Sequence, residues 1–137
     1  MDNCIFCSII KGDIPSFKIY EDNDFLAFLD IAPGTKGHTL IIPKEHAATL
    51  EELSDDNASK ILVLAKKIVK AMKEVHGFTN YNIIQNNGKI AGQTVDHYHM
   101  HIIPRYSIEE VGLWTPHEDD PSVNEENAKL VRDKLMN

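Results

Sequence analysis

The sequence predicts an antiparallel α+β domain, and three observations carry that reading. Short runs rich in β-branched and aromatic residues follow one another closely and are joined mostly by turns. One long amphipathic helical pattern is inserted among them, and a shorter one closes the chain. The regular strand–helix alternation of a parallel sheet is missing. At 137 residues the chain reads as one domain spanning 1–137, large enough to bury a core without staples.

The elements follow in order. Residues 4–11 read as a short helix closed by Gly12, ahead of the breaker Pro15. FKIYE (17–21), FLAFLD (25–30) and HTLIIP (38–43) read as strands, with EDND (21–24) as the turn between the first two. APGTKG (32–37) is a loop whose two glycines permit unusual backbone angles. The long helix starts after Ser54, a good N-cap, and ends near His76 before Gly77. Ala58, Ile61, Leu62, Ala65, Ile68, Val69, Met72 and Val75 recur at three- and four-residue steps as its apolar face. Asp55 and Asp56 at its start, and Lys66, Lys67, Lys70 and Lys73 toward its end, suit the helix dipole. YNIIQ (81–85) reads as a strand, NNGKIAGQ (86–93) as a loop and VDHYHMHIIP (95–104) as the last long strand. A final helix is expected over 123–136, with Ser122 and Glu125 spaced as a capping box.

Composition is that of an ordinary globular protein, 42% hydrophobic and 26% charged. The stretch MDNCIFCSIIKGD lacks the basic and apolar regions of a signal peptide, and no apolar run approaches the ~20 residues of a membrane helix. A soluble, cytoplasmic protein with no membrane partner is expected. A net charge of −7 argues against a nucleic-acid partner, which normally meets a basic face. It leaves room for one small phosphorylated ligand, held by backbone N–H groups and imidazoles. Cys4 and Cys7 form a C-x-x-C without an export signal, which points to metal or redox chemistry rather than a structural disulfide.

HYHMHII (97–103) places His97, His99 and His101 at every second position. On a strand these share one face, with Tyr98, Met100 and Ile102 on the other, and neighbouring histidines lie ~6–7 Å apart. Three roles are open: packing without special function, ligation of a metal, or an imidazole acting as nucleophile. Two alternating histidines readily share a metal, but three in a row are harder to bring to one centre with bonds of ~2 Å. A neutral imidazole, by contrast, can attack phosphorus. The preceding turn favours that last role. Asn86, Asn87, Gly88, Gly92, Gln93 and Thr94 offer amide and hydroxyl donors of the kind that phosphate recognition uses.

GQTVDHYHMHII resembles the signature of the histidine triad (HIT) family, in which glutamine and valine precede three alternating histidines. IFCSIIKGDIPS, FLAFLDIAPGTKGHTLIIPKEH and IIQNNG resemble its other blocks, in family order, so the likeness covers roughly 4–106 and leaves 107–137 as a C-terminal segment. It looks closest to the small phosphoramidase-like branch and its bacterial relatives. The resemblance implies a HIT-like fold: a five-stranded antiparallel sheet with one long and one C-terminal helix, the sheets of two copies joining in a homodimer. It implies hydrolysis or transfer at the α-phosphate of a purine nucleotide conjugate, of adenosine 5'-phosphoramidate or diadenosine polyphosphate type, with no catalytic cofactor.

By position, the resemblance makes His99 the nucleophile that forms a covalent nucleotidyl-imidazole, and the main-chain carbonyl of His97 its orienting group. His101 would hydrogen-bond near the phosphate and leaving group, supported by His38. Asp30 would hold the ribose hydroxyls. Asn86, Gln93 and Thr94 would contact phosphate oxygens, with Gly92 allowing close backbone approach. Phe6, Ile9, Phe28, Ile31 and Leu40 would line the base pocket. Some relatives with this C-x-x-C are similar in carrying a structural zinc on two cysteines and two histidines, which makes Cys4, Cys7, His46 and His97 the expected ligands here. Alternation puts His97 on the face of His99, so this assignment requires the start of the strand to splay. The segment 106–124, including Trp114, lies outside what the resemblance can assign.

Two other function classes remain open. A nucleotide-binding regulatory or scaffold protein would keep the fold with incidental turnover, and would have no need of a nucleophile. A zinc-dependent hydrolase with the triad as ligands would lose its activity to a chelator.

Overall fold

The computed structural model describes residues 3–112 and 114–137. Five strands form one antiparallel sheet in the order β1-β2-β3-β5-β4. The strands are β1 (Phe17–Glu21), β2 (Phe25–Leu29), β3 (Thr39–Pro43), β4 (Asn80–Gln85) and β5 (Met100–Arg105), and the helices are α1 (Ile5–Lys11), α2 (Asp55–His76) and α3 (Pro121–Leu135). The antiparallel α+β class expected from the sequence is the one found.

α2 covers one face of the sheet. Its buried side chains Ile61, Leu64, Ala65, Ile68, Val69 and Met72 pack with Ala27, Ile41, Tyr98, Met100 and Ile102 in the larger core. α1 lies over the other face, where Phe6 packs with Leu26, Phe28, Leu40 and Ile42. β2 and β3 are therefore enclosed from both sides, which explains why FLAFL and TLIIP read as unbroken apolar runs. Both predicted ends of α2 hold: Ser54 Oγ accepts from the Asn57 N–H at 3.2 Å, and Gly77 takes the left-handed conformation at φ 74°.

Three expectations need correction. Leu62 and Val75 share the apolar spacing of α2 yet are 56% and 76% exposed, while Leu64 takes a core place. Periodicity marks an apolar arc; which part of it is covered depends on how the sheet meets the helix. The last helix starts at Pro121 rather than 123, because Asp120 is its cap and accepts from the Ser122 N–H at 2.9 Å. Ser122 donates its hydroxyl to the same carboxylate and so is not the cap itself.

The third correction concerns the histidine strand, which begins at Met100 and not at 95. β3 pairs with β5 at Thr39–Ile102, Leu40–His101 and Ile41–Met100. Continued, that register would set Pro43 opposite Tyr98, but proline has no N–H for the ladder. The Tyr98 N–H instead donates to the Ala47 carbonyl at 2.7 Å, and the Pro43 carbonyl accepts from the His97 ring. Residues 95–99 thus approach the sheet as irregular chain. Strand alternation does not govern His97 and His99, and His97 is free to face elsewhere.

Candidate active site

Hydrogen bonds to groups of fixed polarity assign the protons of the four central imidazoles. The His99 Nδ1 atom lies 2.7 Å from the His97 carbonyl oxygen, which only accepts. His99 therefore carries its proton on Nδ1, and in the neutral ring Nε2 keeps a free lone pair. The Gly34 N–H donates to His38 Nδ1 at 2.9 Å, so the proton of neutral His38 sits on Nε2. That Nε2–H donates to His101 Nδ1 at 2.9 Å. His101 in turn must hold its own proton on Nε2, as a donor. Two adjacent rings end up with opposite capacities: a lone pair on His99 and an N–H on His101, their centroids 5.1 Å apart.

Burial favours the neutral forms of His101 and His38. Burial first, then the nearby His99 and His38, push the His101 pKa down to about 4. Burial likewise lowers His38, although Asp30 partly opposes it.

The two rings border a cavity of about 240 Å³ under α1. Of the residues expected around a nucleotide, Phe6, Ile9, Phe28, Ile31 and Leu40 line it, together with Asp30, Thr94, His99 and His101. Asp30 is fixed there by the Ala32 N–H, which donates to Oδ1 at 2.9 Å. Asn86, Gly92 and Gln93 were expected among the phosphate contacts, but they are not among the lining residues. Gln93 is buried and bonded at both ends of its amide: Oε1 accepts from the Gly88 N–H and Nε2 donates to the Ala48 carbonyl, each at 2.7 Å. It ties the 86–93 loop to the chain following β3. Asn86 Nδ2 approaches the Gly92 carbonyl at 3.4 Å, and Gly92 sits at φ 95°, a left-handed angle that favours glycine. Four grooves among the described residues are larger, the two largest, of about 480 and 510 Å³, lying beside β4 and between α2 and β1, and none of the four is lined by a triad histidine.

Ile5, Ile14, Pro15, Ser16 and Val95 also line the cavity and were not singled out from sequence. The i, i+4 spacing of Ile5 and Ile9 on α1 was a usable signal for the first. The remaining four occupy chain flanking α1 and β5, where no periodicity marks them.

Cys4, Cys7, His46 and His97 bring their ligand atoms together in a second cluster. Cys4 Sγ lies 3.4 Å from His97 Nδ1, Cys7 Sγ lies 3.3 Å from His46 Nδ1, and the two Nδ1 atoms are 3.2 Å apart. His97 is fully buried and donates its Nε2–H to the Pro43 carbonyl at 2.8 Å, so its Nδ1 turns a bare lone pair into the cluster. Tetrahedral zinc with bonds of about 2.0–2.3 Å needs its ligand atoms roughly 3.3–3.8 Å apart. The four side chains fit a metal. Burial and the neighbouring Cys4 raise the Cys7 thiol, a cost that a bound cation would reverse.

Asp30, His38 and His101 also lie close enough for a metal, but their protons argue otherwise. Ligation through His38 Nε2 would move its proton to Nδ1, directly against the Gly34 N–H. The Gly34 N–H, His38 and His101 form a hydrogen-bond relay, with the Asp30 carboxylate beside it at 3.6 Å from His38 Nε2.

The HIT domain family matches residues 11–108, most of the chain. The chain belongs to the histidine triad family. It is 59% identical over 111 residues to the adenosine 5'-monophosphoramidase of Schizosaccharomyces pombe, across 81% of this chain and 80% of that one. A Streptococcus mutans crystal structure superimposes with a TM-score of 0.92 at 43% identity, covering 98% of this chain and 87% of the other. The histidine triad nucleotide-binding protein of Candida albicans gives 0.89 at 42% identity, with 98% of each chain covered. Within this family the alternating histidines are the namesake feature, and here only His101 of the three lies on a strand.

Proposed function

We propose that this histidine triad protein is a hydrolase that cleaves purine nucleotide conjugates at the α-phosphorus, with adenosine 5'-phosphoramidates as the leading substrate class. The observation that carries this reading is the fixed proton of His99, which leaves a nucleophilic Nε2 beside the donor His101 on the wall of a largely apolar cavity that also holds Asp30 and Thr94. The name of the S. pombe relative supports the same substrate class.

In the first step, the leaving nitrogen takes up a proton from solvent, Nε2 of His99 bonds to phosphorus as the P–N bond breaks, and the neutral amine departs. The imidazole becomes positively charged, and its Nδ1–H bond to the His97 carbonyl stabilises that charge. The His101 Nε2–H and Thr94 serve the phosphoryl oxygens, Asp30 the ribose hydroxyls, and the apolar wall the base. Water then attacks the same phosphorus, frees the imidazole and releases the nucleoside monophosphate with a proton to solvent. Diadenosine polyphosphates present the same α-phosphorus with a phosphate leaving group, so they belong to the substrate range. Gln93, Asn86 and Gly92 act by shaping the loop that presents Thr94.

We assign zinc to Cys4, Cys7, His46 and His97 as a structural ion. No step of the hydrolysis passes through it. The whole chain is read as one domain that pairs with a second copy through its sheet edge. Free thiols of this kind suit a reducing, cytoplasmic compartment. No helix among the described residues is long and apolar enough to cross a membrane.

The deciding experiment is turnover of an adenosine phosphoramidate bearing a fluorescent amine, by wild type and His99→Ala. The expected result is a loss of several orders of magnitude in His99→Ala with nucleotide binding retained. Turnover that survives in His99→Ala overturns the covalent route. Absence of turnover in wild type, with nucleotide still bound, would instead make the protein a binding module.

A further inference from the structure

α1 is seven residues long, below the length at which a helix holds itself. Its single buried side chain is Phe6. Among the described residues, every hydrogen-bonding contact from α1 and its cap to chain beyond residue 14 runs through the sulfurs of Cys4 and Cys7. Ile5 and Phe6, the two residues between those cysteines, are themselves cavity wall. The Phe6 ring meets His99 edge-on at 5.1 Å and His97 at 5.9 Å.

The other end of the cluster leads to the same place. His97 contributes its Nδ1 to the cluster and its main-chain carbonyl to His99 Nδ1. A single residue is thus the ligand at one end and the orienting group at the other. Two thiols and two imidazoles turned toward each other hold loosely while they share only S–H protons. A tetrahedral ion replaces those weak contacts with four directed bonds.

We infer that the Cys4–Cys7–His46–His97 cluster, when it holds its metal, is the positioning device of the nucleotide site. It clamps α1 as the wall over the cavity and fixes His97, whose carbonyl aims His99. This rests on the zinc and nucleophile assignments above and goes beyond a structural ion: occupancy sets the rate of the chemical step. Cys4, Cys7 and His46 are positioning residues, because none of them touches the reacting atoms.

The test compares wild type as purified, wild type stripped by mild chelation and reloaded with zinc, Cys7→Ser, and His46→Cys, which keeps four ligands. Each is measured for metal per chain, for the low-field proton resonance of the His99 Nδ1–H, and for kcat and KM separately. Stripped protein and Cys7→Ser should lose that resonance to faster exchange while the amide spectrum of the sheet core persists. Their KM should rise as the wall loosens, and kcat should fall about 10–100-fold, as when the supports of a site are removed elsewhere. Reloading with zinc, and the His46→Cys substitution, should recover both. Metal removal that leaves the resonance, KM and kcat unmoved overturns the inference and keeps the zinc assignment. General loss of the core spectrum on stripping also overturns it, since the ion then only folds the chain. Wild type without metal sinks the zinc assignment and the inference together, whereas failure of the nucleophile assignment shows separately in His99→Ala.

Discussion

Gly34 has no side chain, yet its N–H decides which ring nitrogens of His38 and His101 carry their protons. By occupying His38 Nδ1 it sends the His38 proton to Nε2, and this makes His101 a donor at the cavity. His38→Phe removes the partner of His101 Nδ1 and frees the ring to flip. Loss of one such hydrogen bond is worth about 0.5–1.5 kcal/mol, so turnover should fall up to about tenfold with nucleotide affinity little changed. Titration of affinity beside kcat checks this, and an unaltered kcat would show that the relay is idle. The same burial has a consequence for stability. His101 is held down to about 4, against an ordinary 6.5, so between those values the unfolded chain binds the extra proton. Its contribution is full above pH 6.5 and is lost as pH falls toward 4. His38 shifts in the same direction. Thermal unfolding from pH 8 to 4 should show a declining midpoint, and His101→Gln should flatten that decline; equal slopes in both proteins would contradict it.

Among the elements, α2 has both ends set by local caps, with one carboxylate reinforcing the first. Ser54 caps it, and Glu45 gathers the Ser54 hydroxyl and the Asn57 amide on one carboxylate oxygen, each at 2.7 Å. Ser54→Ala should cost about 1 kcal/mol in urea unfolding, and a loss near zero would mean the Glu45 network holds the turn unaided. Such ends are legible in a sequence because cap, dipole and glycine lie within a few residues of one another. The start of β5 was not legible, since Pro43 sets it through a pairing across more than fifty residues of chain. The exposure of Leu62 and Val75 was hidden for a related reason: spacing does not say where the sheet stops. In the site, the gathering of His99, His101 and the apolar residues Phe6, Ile9, Phe28, Ile31 and Leu40 around one cavity could be expected because they fall in contiguous motifs. The engagement of Gln93 with Ala48 could not, because a polar loop residue looks the same whether it faces ligand or backbone.

At the scale of the whole molecule, the sheet and the last helix are both unfinished. β4 lies at one margin of the sheet, with Tyr81 and Ile83 39% and 40% exposed and, among the described residues, no further strand to pair its outer backbone. An open edge of that kind invites a second strand. α3 buries no residue against its own chain, although Val123, Leu130, Val131 and Leu135 give it apolar surface. A helix of 15 residues is marginal in water without packing, so its apolar side calls for a surface that the single chain does not offer. The second copy proposed above, adding β4 to β4, would extend the sheet across the joint and would supply that surface. Light scattering after gel filtration should therefore give about twice the 15.5 kDa of one chain. Ile83→Lys places a charge on the joining edge, the usual natural guard against strand addition. It should yield a folded species of half the mass, since Ile83 is already partly exposed in the single chain. Wild type eluting as a monomer would remove the sheet-joined dimer from the proposal, and a dimer that withstands Ile83→Lys would move the joint away from β4, with α3 as the next surface to alter.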